Sequence, residues 1–212
     1  MTNVFIISAP SGSGKSTLLG RVLEADARLA EPRLVFSVSY TTREPRGKER
    51  HGQEYFFVST AEFEAQIERG EYLEWAKVFD HYYGTHRRFL DEAMRAGRDL
   101  VLDIDVQGAR QLRRRFPEAV SVFILPPSRE VLEERLQARS EDSGEVIERR
   151  LAGAAKEISS YHEYDYIIVN HDLEEAASDL AAIFRAERRR RQRKEDEIRP
   201  ILASFLQSGT RR

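Results

Sequence analysis

The chain has 212 residues, of which 34 are Lys or Arg and 36 are Asp or Glu, so its formal net charge is -2. This length fits one domain, or one domain with an insertion, and it is sufficient to bury a full core. The sequence contains no Cys, which excludes disulfides, thiolate chemistry and Cys-ligated zinc. No apolar run approaches the ~20 residues of a membrane helix and no secretory signal is visible, so we expect a cytoplasmic protein without a membrane partner.

The first half of the chain alternates apolar, β-rich runs with helical patterns. Ser59 and Glu62 have the spacing of a capping box, in which each side chain bonds a backbone amide at a helix start. They predict a helix that continues to Gly70, after a polar loop rich in Arg, Gly and Pro. In chain order the pattern predicts strands over 4–9, 34–38, 55–59, 72–79 and 81–84, and helices over 15–30, 60–70 and 87–96.

The second half of the chain continues this alternation. Ser128 can cap the helix that follows it, and Asp172 can cap a long terminal helix. Strands that alternate with helices of this length predict a parallel sheet covered on both faces. The polar segment 40–98 interrupts the alternation, so we interpret it as an insertion that carries substrate contacts. The expected elements are strands over 100–104, 120–125 and 166–169 and helices over 106–116, 129–138, 146–160 and from 173 onward.

A glycine-rich loop joins the first predicted strand to the first predicted helix. Gly12 and Gly14 allow backbone angles and close approaches that a Cβ atom would prevent. Consecutive amide N–H groups can then surround phosphate oxygens at the positive end of the helix. Lys15 can reach the β- and γ-phosphates, and the Ser16 hydroxyl can bind Mg²⁺. The loop comprises Ala9, Pro10, Ser11, Gly12, Ser13, Gly14, Lys15, Ser16 and Thr17.

The loop departs from the pattern G-x-x-x-x-G-K-[ST] at its first position, where Ala9 stands in place of Gly. Ala9 ends a strand, where a small side chain fits. The loop predicts binding of a nucleoside triphosphate, but such loops occur in GTPases, ATPases and kinases alike. The Asn-Lys-x-Asp segment typical of GTP-binding switch proteins does not occur in the sequence, which favours a small-molecule kinase.

Two carboxylates and two arginines are further candidates for phosphate chemistry. Asp103 and Asp105 lie where a predicted strand ends and can hold a metal ion directly or through water. Their alternative role is that of turn residues at a strand end. Arg43 and Arg46 can converge from one loop on a phosphate group, because guanidinium groups bind phosphate oxygens in pairs. A solvated arginine pair is the alternative, and the residues alone leave both interpretations open.

Four segments, in this order, resemble guanylate kinase, a family of P-loop nucleoside monophosphate kinases. They are PSGSGKST at 10–17, SVSYTTREPR at 37–46, YYGT at 82–85 and LDIDVQG at 102–108, and the resemblance extends from about residue 3 to 187. The resemblance implies a three-layer αβα fold with a parallel central sheet. It also implies a P-loop core over 1–39 and 97–212, with a helical lid at about 128–160, and a small mixed α/β GMP-binding region over 40–96.

The resemblance further implies Mg²⁺-dependent transfer of the ATP γ-phosphoryl group to GMP or dGMP. Glu74 is the candidate that recognises the base, since a carboxylate can accept both N1–H and the N2 amine of guanine, whereas adenine has no N1–H. Without the family, the preferred interpretation of Glu74 would be a surface strand residue beside Trp75. The family's GMP contacts fall on Ser39, Arg43, Arg46, Tyr55, Glu74, Tyr83, Thr85 and Asp103.

The ATP side of the implied site includes a lid around the polar segment 139–146, flanked by Arg135, Arg139, Arg149 and Arg150. Ala138-Arg139-Ser140 replaces the Gly-Arg-Gly of many relatives, which leaves the position of the hinge open. Asn170 corresponds to a family position near adenine, and its alternative role is to cap the following helix. The implied ATP contacts are residues 9–17, Arg135, Arg139 and Asn170; the implied catalytic residues are Lys15, Arg43, Arg139 and Arg150; the candidate metal ligands are Ser16 and Asp105.

Other features are expected to lie outside the chemistry. His81 and His86 lack metal-ligand spacing, and the basic stretch 185–194 is expected to be a solvated or subunit-contacting face rather than a nucleic-acid site. Apolar residues over 198–206 occur at helical spacing, which suggests docking against the domain or a second copy of the chain. Two alternatives to a GMP kinase are a non-catalytic guanylate-kinase-like interaction module and a P-loop kinase for another nucleoside monophosphate.

Overall fold

The chain forms two β-sheets. A computed structural model describes residues 2–78, 80–139 and 144–208, without the side chains of residues 139, 207 and 208. The strands are β1 (Val4–Ser8), β2 (Leu34–Ser37), β3 (Tyr40–Thr41), β4 (Phe56–Phe57), β5 (Tyr72–Val78), β6 (His81–His86), β7 (Asp99–Asp103), β8 (Val120–Leu125) and β9 (Tyr166–Val169). The helices are α1 (Lys15–Ala27), α2 (Thr60–Glu68), α3 (Arg88–Ala96), α4 (Val106–Arg115), α5 (Arg129–Arg139), α6 (Gly144–Ile158), α7 (Leu173–Glu187) and α8 (Arg191–Ser208), with a short 3-10 turn at Tyr161–Glu163.

The larger sheet has the strand order β2-β7-β1-β8-β9, and all of its strand pairs are parallel. Strand β1 lies at its centre and is buried along its whole length. This burial explains the unbroken apolar sequence of β1, because a parallel strand covered on both faces has no solvent side. Helices α1 and α7 contribute to the apolar cluster on one face, and α3 and α4 to the cluster on the other. The predicted three-layer α/β architecture is therefore confirmed.

The parallel arrangement brings two functional loops together at one edge of this sheet. Ile7 in β1 is in register with Asp103 in β7, and the Ile104 N–H donates to the Ile7 carbonyl at 3.2 Å. The glycine-rich loop after β1 therefore starts beside the segment that holds Asp105. In open α/β sheets this carboxyl edge is where ligands bind.

The smaller sheet is mixed and has the order β4-β3-β6-β5. Strand β3 lies inside the segment that the sequence assigned to a loop, and the strand predicted over 55–59 is reduced to the two residues of β4. Strand β3 lies between β4, to which it is parallel, and β6, to which it is antiparallel. Tyr40 and Tyr72 of this sheet join Ile6 and Leu102 of the larger sheet in one apolar cluster.

Helices α5 and α6 form a separate helical pair. Their contact consists of the apolar side chains of Leu132, Leu136, Ile147, Leu151 and Ala154. The implied hinge at Ala138-Arg139-Ser140 lies partly outside the described residues, because residues 140–143 and the Arg139 side chain are not described.

The end of the chain differs from the predicted single terminal helix, because α7 and α8 are separate helices. In the basic stretch, Arg188 pairs with Asp99, Arg190 with Glu187 and Arg191 with Glu195. No helix within the described part of the chain is both long and apolar enough to cross a membrane. The apolar residues of α8 are exposed rather than docked against the domain: Ile198, Ile201, Leu202, Phe205 and Leu206.

The start of α7 allows a direct test of the predicted cap. Asp172 Oδ1 accepts hydrogen bonds from the N–H groups of Glu174 and Glu175, both at 2.9 Å. Asp172→Ala removes this acceptor, and we expect the free energy of unfolding, measured by urea denaturation, to fall by about 1 kcal/mol. The control is Asp179→Ala at an exposed position of α7, which should change it by less than about 0.5 kcal/mol. Equal losses in the two variants would contradict the capping role.

Candidate active site

One crevice of about 470 Å³ lies where the glycine-rich loop meets the smaller sheet. The predicted triphosphate loop and the predicted monophosphate site both contribute to its walls. Thr17 and Thr85 are not among its lining residues, and neither are the arginines Arg43, Arg46 and Arg135. The predicted residues that do line it are Ala9, Pro10, Ser11, Gly12, Gly14, Lys15, Ser16, Ser39, Tyr55, Glu74, Tyr83, Asp103 and Asp105.

The glycine-rich loop needs its glycines for both conformation and packing. Gly12 and Gly14 have φ angles of 93° and 89°, in the region that favours glycine. A Cβ atom on Gly12 would lie 2.8 Å from Leu132 Cδ1 in α5, and one on Gly14 would lie 2.5 Å from Asn170 Nδ2. Gly14 is the N-cap of α1 and supplies no side-chain acceptor, so no cap side chain occupies the first amides of the helix. Such an arrangement is suited to binding an anion.

Asn170 and Arg135 support this loop from outside the crevice. The Asn170 side-chain amide is buried and donates to the Ser13 carbonyl at 2.8 Å. Arg135 donates to the Ser13 carbonyl at 3.3 Å and to the Asn170 carbonyl at 3.2 Å. Asp172 caps the following helix, so the alternative role of Asn170 as a cap is wrong.

The arginines of the predicted lid differ in their contacts, according to their position on α5 and α6. Arg150 of α6 donates to Ser11 Oγ at 3.0 Å and so connects this helix with the glycine-rich loop. Arg149 is exposed. Arg139 is the last residue of α5, and its side chain lies outside the described residues.

Two acidic residues, one at the end of β7 and one just after it, make specific contacts. Lys15 Nζ forms an ion pair with Asp103 Oδ1, which joins the loop to the end of β7. Asp105 is the N-cap of α4, where its Oδ1 accepts the Gly108 N–H at 2.8 Å. Asp105 therefore has a structural role at the strand end while it also lines the crevice.

Arg43 is buried and held in one orientation. Its two terminal nitrogens donate to the two carboxylate oxygens of Glu49 at 2.9 and 3.0 Å, and its guanidinium carbon lies 5.3 Å from the Tyr55 ring centroid. These bonds hold the pKa of Glu49 below its ordinary value. Arg46 is exposed, and its backbone N–H donates to the same carboxylate at 2.8 Å. Sequence reasoning missed Glu49, because no motif links it to Arg43.

Glu74 is buried in the wall of the crevice, with 5% of its surface exposed. The sequence-based alternative, a surface residue beside Trp75, is wrong: neighbouring side chains of a strand point to opposite faces, and Glu74 is buried whereas Trp75 is exposed. The Thr85 hydroxyl donates to Glu74 Oε1 at 2.6 Å. The pKa of Glu74 is raised to about 7, mainly by burial. The hydrogen bond from Thr85 lowers this pKa, and the negative charge of Asp105 raises it.

A further carboxylate, Glu157 of α6, lines the same crevice and was missed by sequence reasoning. Burial raises its pKa, the charge of Asp105 raises it further, and Lys15 lowers it. The residue belongs to no recognisable motif, so nothing in the sequence distinguished it from the other charged residues of α6. Glu157 lines the same crevice as Glu74, Asp103 and Asp105.

The chain matches the family model described as "Guanylate kinase" over residues 1–187. The chain belongs to the guanylate kinase family. A curated guanylate kinase from Nitrosomonas europaea is 47% identical over 205 residues, which are 97% of this chain and 100% of that protein. One from Koribacter versatilis is 54% identical over 191 residues, which are 89% of this chain and 80% of that protein.

The fold agrees with this assignment. The crystal structure of guanylate kinase from Anaplasma phagocytophilum superposes with a TM-score of 0.73 at 37% sequence identity, and the match covers 91% of this chain and 89% of that one. The resemblance inferred from four sequence segments is thus confirmed, as is the P-loop kinase fold that it implied.

The buried carboxylate of Glu74 should make the stability of this guanylate kinase family member depend on pH. Because the pKa of Glu74 is raised to about 7 in the folded chain, folding favours its neutral form. The contribution of Glu74 to the free energy of unfolding is fully present below its ordinary pKa of 4.5 and is lost as the pH rises through about 7, where the folded chain must ionise the buried group. Glu74→Gln removes the titration, so its free energy of unfolding relative to wild type should rise by about 2 kcal/mol between pH 5 and pH 8.

Urea denaturation of both proteins at the two pH values measures this difference. The control is Glu92→Gln, at an exposed position of α3, which should show the wild-type pH dependence. If Glu74→Gln also follows the wild-type curve, the pKa of Glu74 is not raised.

Proposed function

We propose that this chain transfers the γ-phosphoryl group of ATP to GMP, with Mg²⁺ bound beside the ATP phosphates. The observation that carries the proposal is the shared crevice, which is lined both by the glycine-rich loop and by the buried Glu74. Family membership and the curated relatives named guanylate kinase support it. The reaction consumes nucleotides of the cell interior, so we place the protein in the cytoplasm.

On the donor side, the glycine-rich loop would hold the ATP phosphates with its amide groups and Lys15. The phosphates would share or replace Asp103 as the partner of Lys15. Arg135 and Asn170 keep the Ser13 peptide in place, and we propose that Arg139 and Arg150 reach the phosphates from the lid at about 128–160. Phosphoryl transfer requires mainly positioning and charge stabilisation from the protein.

The residues present fit a magnesium ion bound with ATP. Ser16 and Asp105 line the crevice and would be its protein ligands. Nucleotide-bound Mg²⁺ usually takes one or two protein ligands, with water and phosphate oxygens as the others. Among the described residues no cluster of three or more acidic or imidazole side chains could hold a metal by itself. When bound, the ion neutralises charge on the β- and γ-phosphate oxygens.

On the acceptor side, we assign GMP to the region 40–96, against the core formed by 1–39 and 97–212. Arg43 and Arg46, together with Ser39, Tyr55 and Tyr83, would bind the GMP phosphate. A guanidinium has five donor N–H groups, so the bonds from Arg43 to Glu49 leave further donors for a phosphate.

The guanine base would be recognised by Glu74, Thr85 and Asp103. Ionised Glu74 would accept N1–H and the N2 amine together. A bidentate contact of this kind is worth about 1–3 kcal/mol of discrimination between bases. An adenine in the same place would leave the buried carboxylate without a donor, which adds to the penalty.

A substrate panel tests this function. We expect turnover with ATP, Mg²⁺ and GMP, with a kcat/KM for AMP, CMP and dTMP lower by roughly tenfold or more, as expected from the bidentate contact. Release of ADP in a coupled assay is the measurement. Absence of turnover with all four acceptors would favour an interaction module, and preference for another base would favour a different monophosphate kinase.

The role of Lys15 gives a second test. We expect Lys15→Ala to lower kcat by roughly 100-fold or more, since a charge directed at the transferred phosphate is lost. The Kd for GMP, measured by calorimetry, should stay within about twofold, because the partner phosphates of Lys15 belong to ATP. Lys156→Ala, at an exposed position of α6, is the charge-matched control. Undiminished turnover of Lys15→Ala would remove this residue from catalysis.

We further propose that two copies of the chain associate through α8. Its exposed apolar residues form a stripe at helical spacing, and within the described chain nothing covers it. The residues are Ile198, Ile201, Leu202, Phe205 and Leu206.

A further inference from the structure

Gly108, the third residue of α4, lies against the carboxylate of Glu74. A Cβ atom on Gly108 would be 2.6 Å from Glu74 Oε2 and 3.1 Å from Glu74 Cδ. These distances are shorter than a van der Waals contact, so a Cβ atom at position 108 and the Glu74 carboxylate could not both occupy their present positions. Gly108 is within a helix and does not have a positive φ. Since glycine is unfavourable in helices, space rather than backbone conformation explains the residue.

We propose that Gly108 is a positioning residue for guanine recognition: its missing side chain provides the space for the Glu74 carboxylate and so determines where that carboxylate meets the base. This inference rests on the function proposed above and assigns a specificity role to a residue outside the predicted site. Gly108 itself would make no side-chain contact with the nucleotide. It would act through Glu74.

The two oxygens of Glu74 are positioned by different neighbours. Oε1 accepts the Thr85 hydroxyl at 2.6 Å, which fixes one side of the carboxylate. Oε2 lies beside the bare Cα of Gly108. The Gly108 N–H in turn donates to Asp105 Oδ1 at 2.8 Å. The positions of both carboxylate oxygens therefore depend on short distances to neighbouring elements.

Helix α4 cannot easily move away from Glu74, because hydrogen bonds join it to β5 on both sides of this residue. The Gln111 side-chain amide donates to the Trp75 carbonyl at 2.9 Å. Arg115 donates to the Leu73 carbonyl at 2.7 Å and to the Tyr72 carbonyl at 3.1 Å. A methyl group at position 108 would therefore be accommodated by the end of the Glu74 side chain rather than by the helix. The expected result is a folded protein with a displaced carboxylate.

The test uses Gly108→Ala in the full chain. We expect the Kd for GMP, measured by calorimetry, to rise on the order of 10- to 100-fold, which corresponds to loss of a bidentate base contact. The preference for GMP over AMP should fall, whereas the KM for ATP should stay within about twofold, since the ATP side of the crevice is unchanged. Unchanged affinity for GMP in Gly108→Ala would overturn the inference.

Gly20→Ala is the matched control, because it also adds one methyl group to a helix but nothing lies within 4 Å of the new atom. This variant should bind GMP and ATP as wild type does. A parallel loss of GMP and ATP affinity in Gly108→Ala, together with a lower unfolding midpoint in urea, would indicate a merely structural role and would overturn the inference.

A double variant shows whether Gly108 acts through Glu74. In the Glu74→Ala background the methyl group at position 108 no longer meets a carboxylate, so adding Gly108→Ala should cause no further loss of GMP affinity. A further loss as large as in wild type would contradict the proposed route. Wild-type protein that neither binds nor phosphorylates GMP would overturn the proposed function as well, whereas active wild type with a neutral Gly108→Ala would overturn this inference alone.

Discussion

The arrangement of the site depends on the parallel pairing of β1 with β7. Parallel strands end at the same edge of a sheet, so the loop that follows β1 and the acidic segment that follows β7 begin side by side. The register of Ile7 with Asp103 fixes this neighbourhood, and the ion pair between Lys15 and Asp103 lies directly beyond it. If the pairing shifted by one residue, Asp103 would point to the other face of the sheet.

Charged groups in and around the crevice are oriented by protein partners. Arg43 is held by Glu49, Lys15 is paired with Asp103, and Arg150 contacts Ser11. Groups that are already oriented lose little conformational freedom when a ligand binds. The same arrangement avoids isolated buried charges, which would be costly without a partner. Lys15, which lines the crevice, is therefore already held in position by Asp103.

Glu74 differs from Arg43 and Lys15, because its buried carboxylate has a hydroxyl partner rather than a group of opposite charge. Burial without an ionic partner raises its pKa to about 7, and this destabilises the folded chain when the group is ionised. Such a cost is understandable where binding specificity requires an acceptor that water does not satisfy. The bare Cα of Gly108 and the Thr85 hydroxyl then determine the position of that acceptor.

Features encoded by neighbouring residues could be predicted from the sequence. The capping residues Ser59 and Asp172 bond amides two or three positions away, and the strand over Tyr166–Val169 was predicted with its observed bounds. The glycine-rich loop was recognised because its chemistry is contained in one short segment. Tertiary structure alone decided the burial of Glu74, the support that Asn170 gives to Ser13 and the existence of strand β3. Each of these features depends on contacts between residues far apart in the chain, and such contacts cannot be predicted from a local sequence pattern.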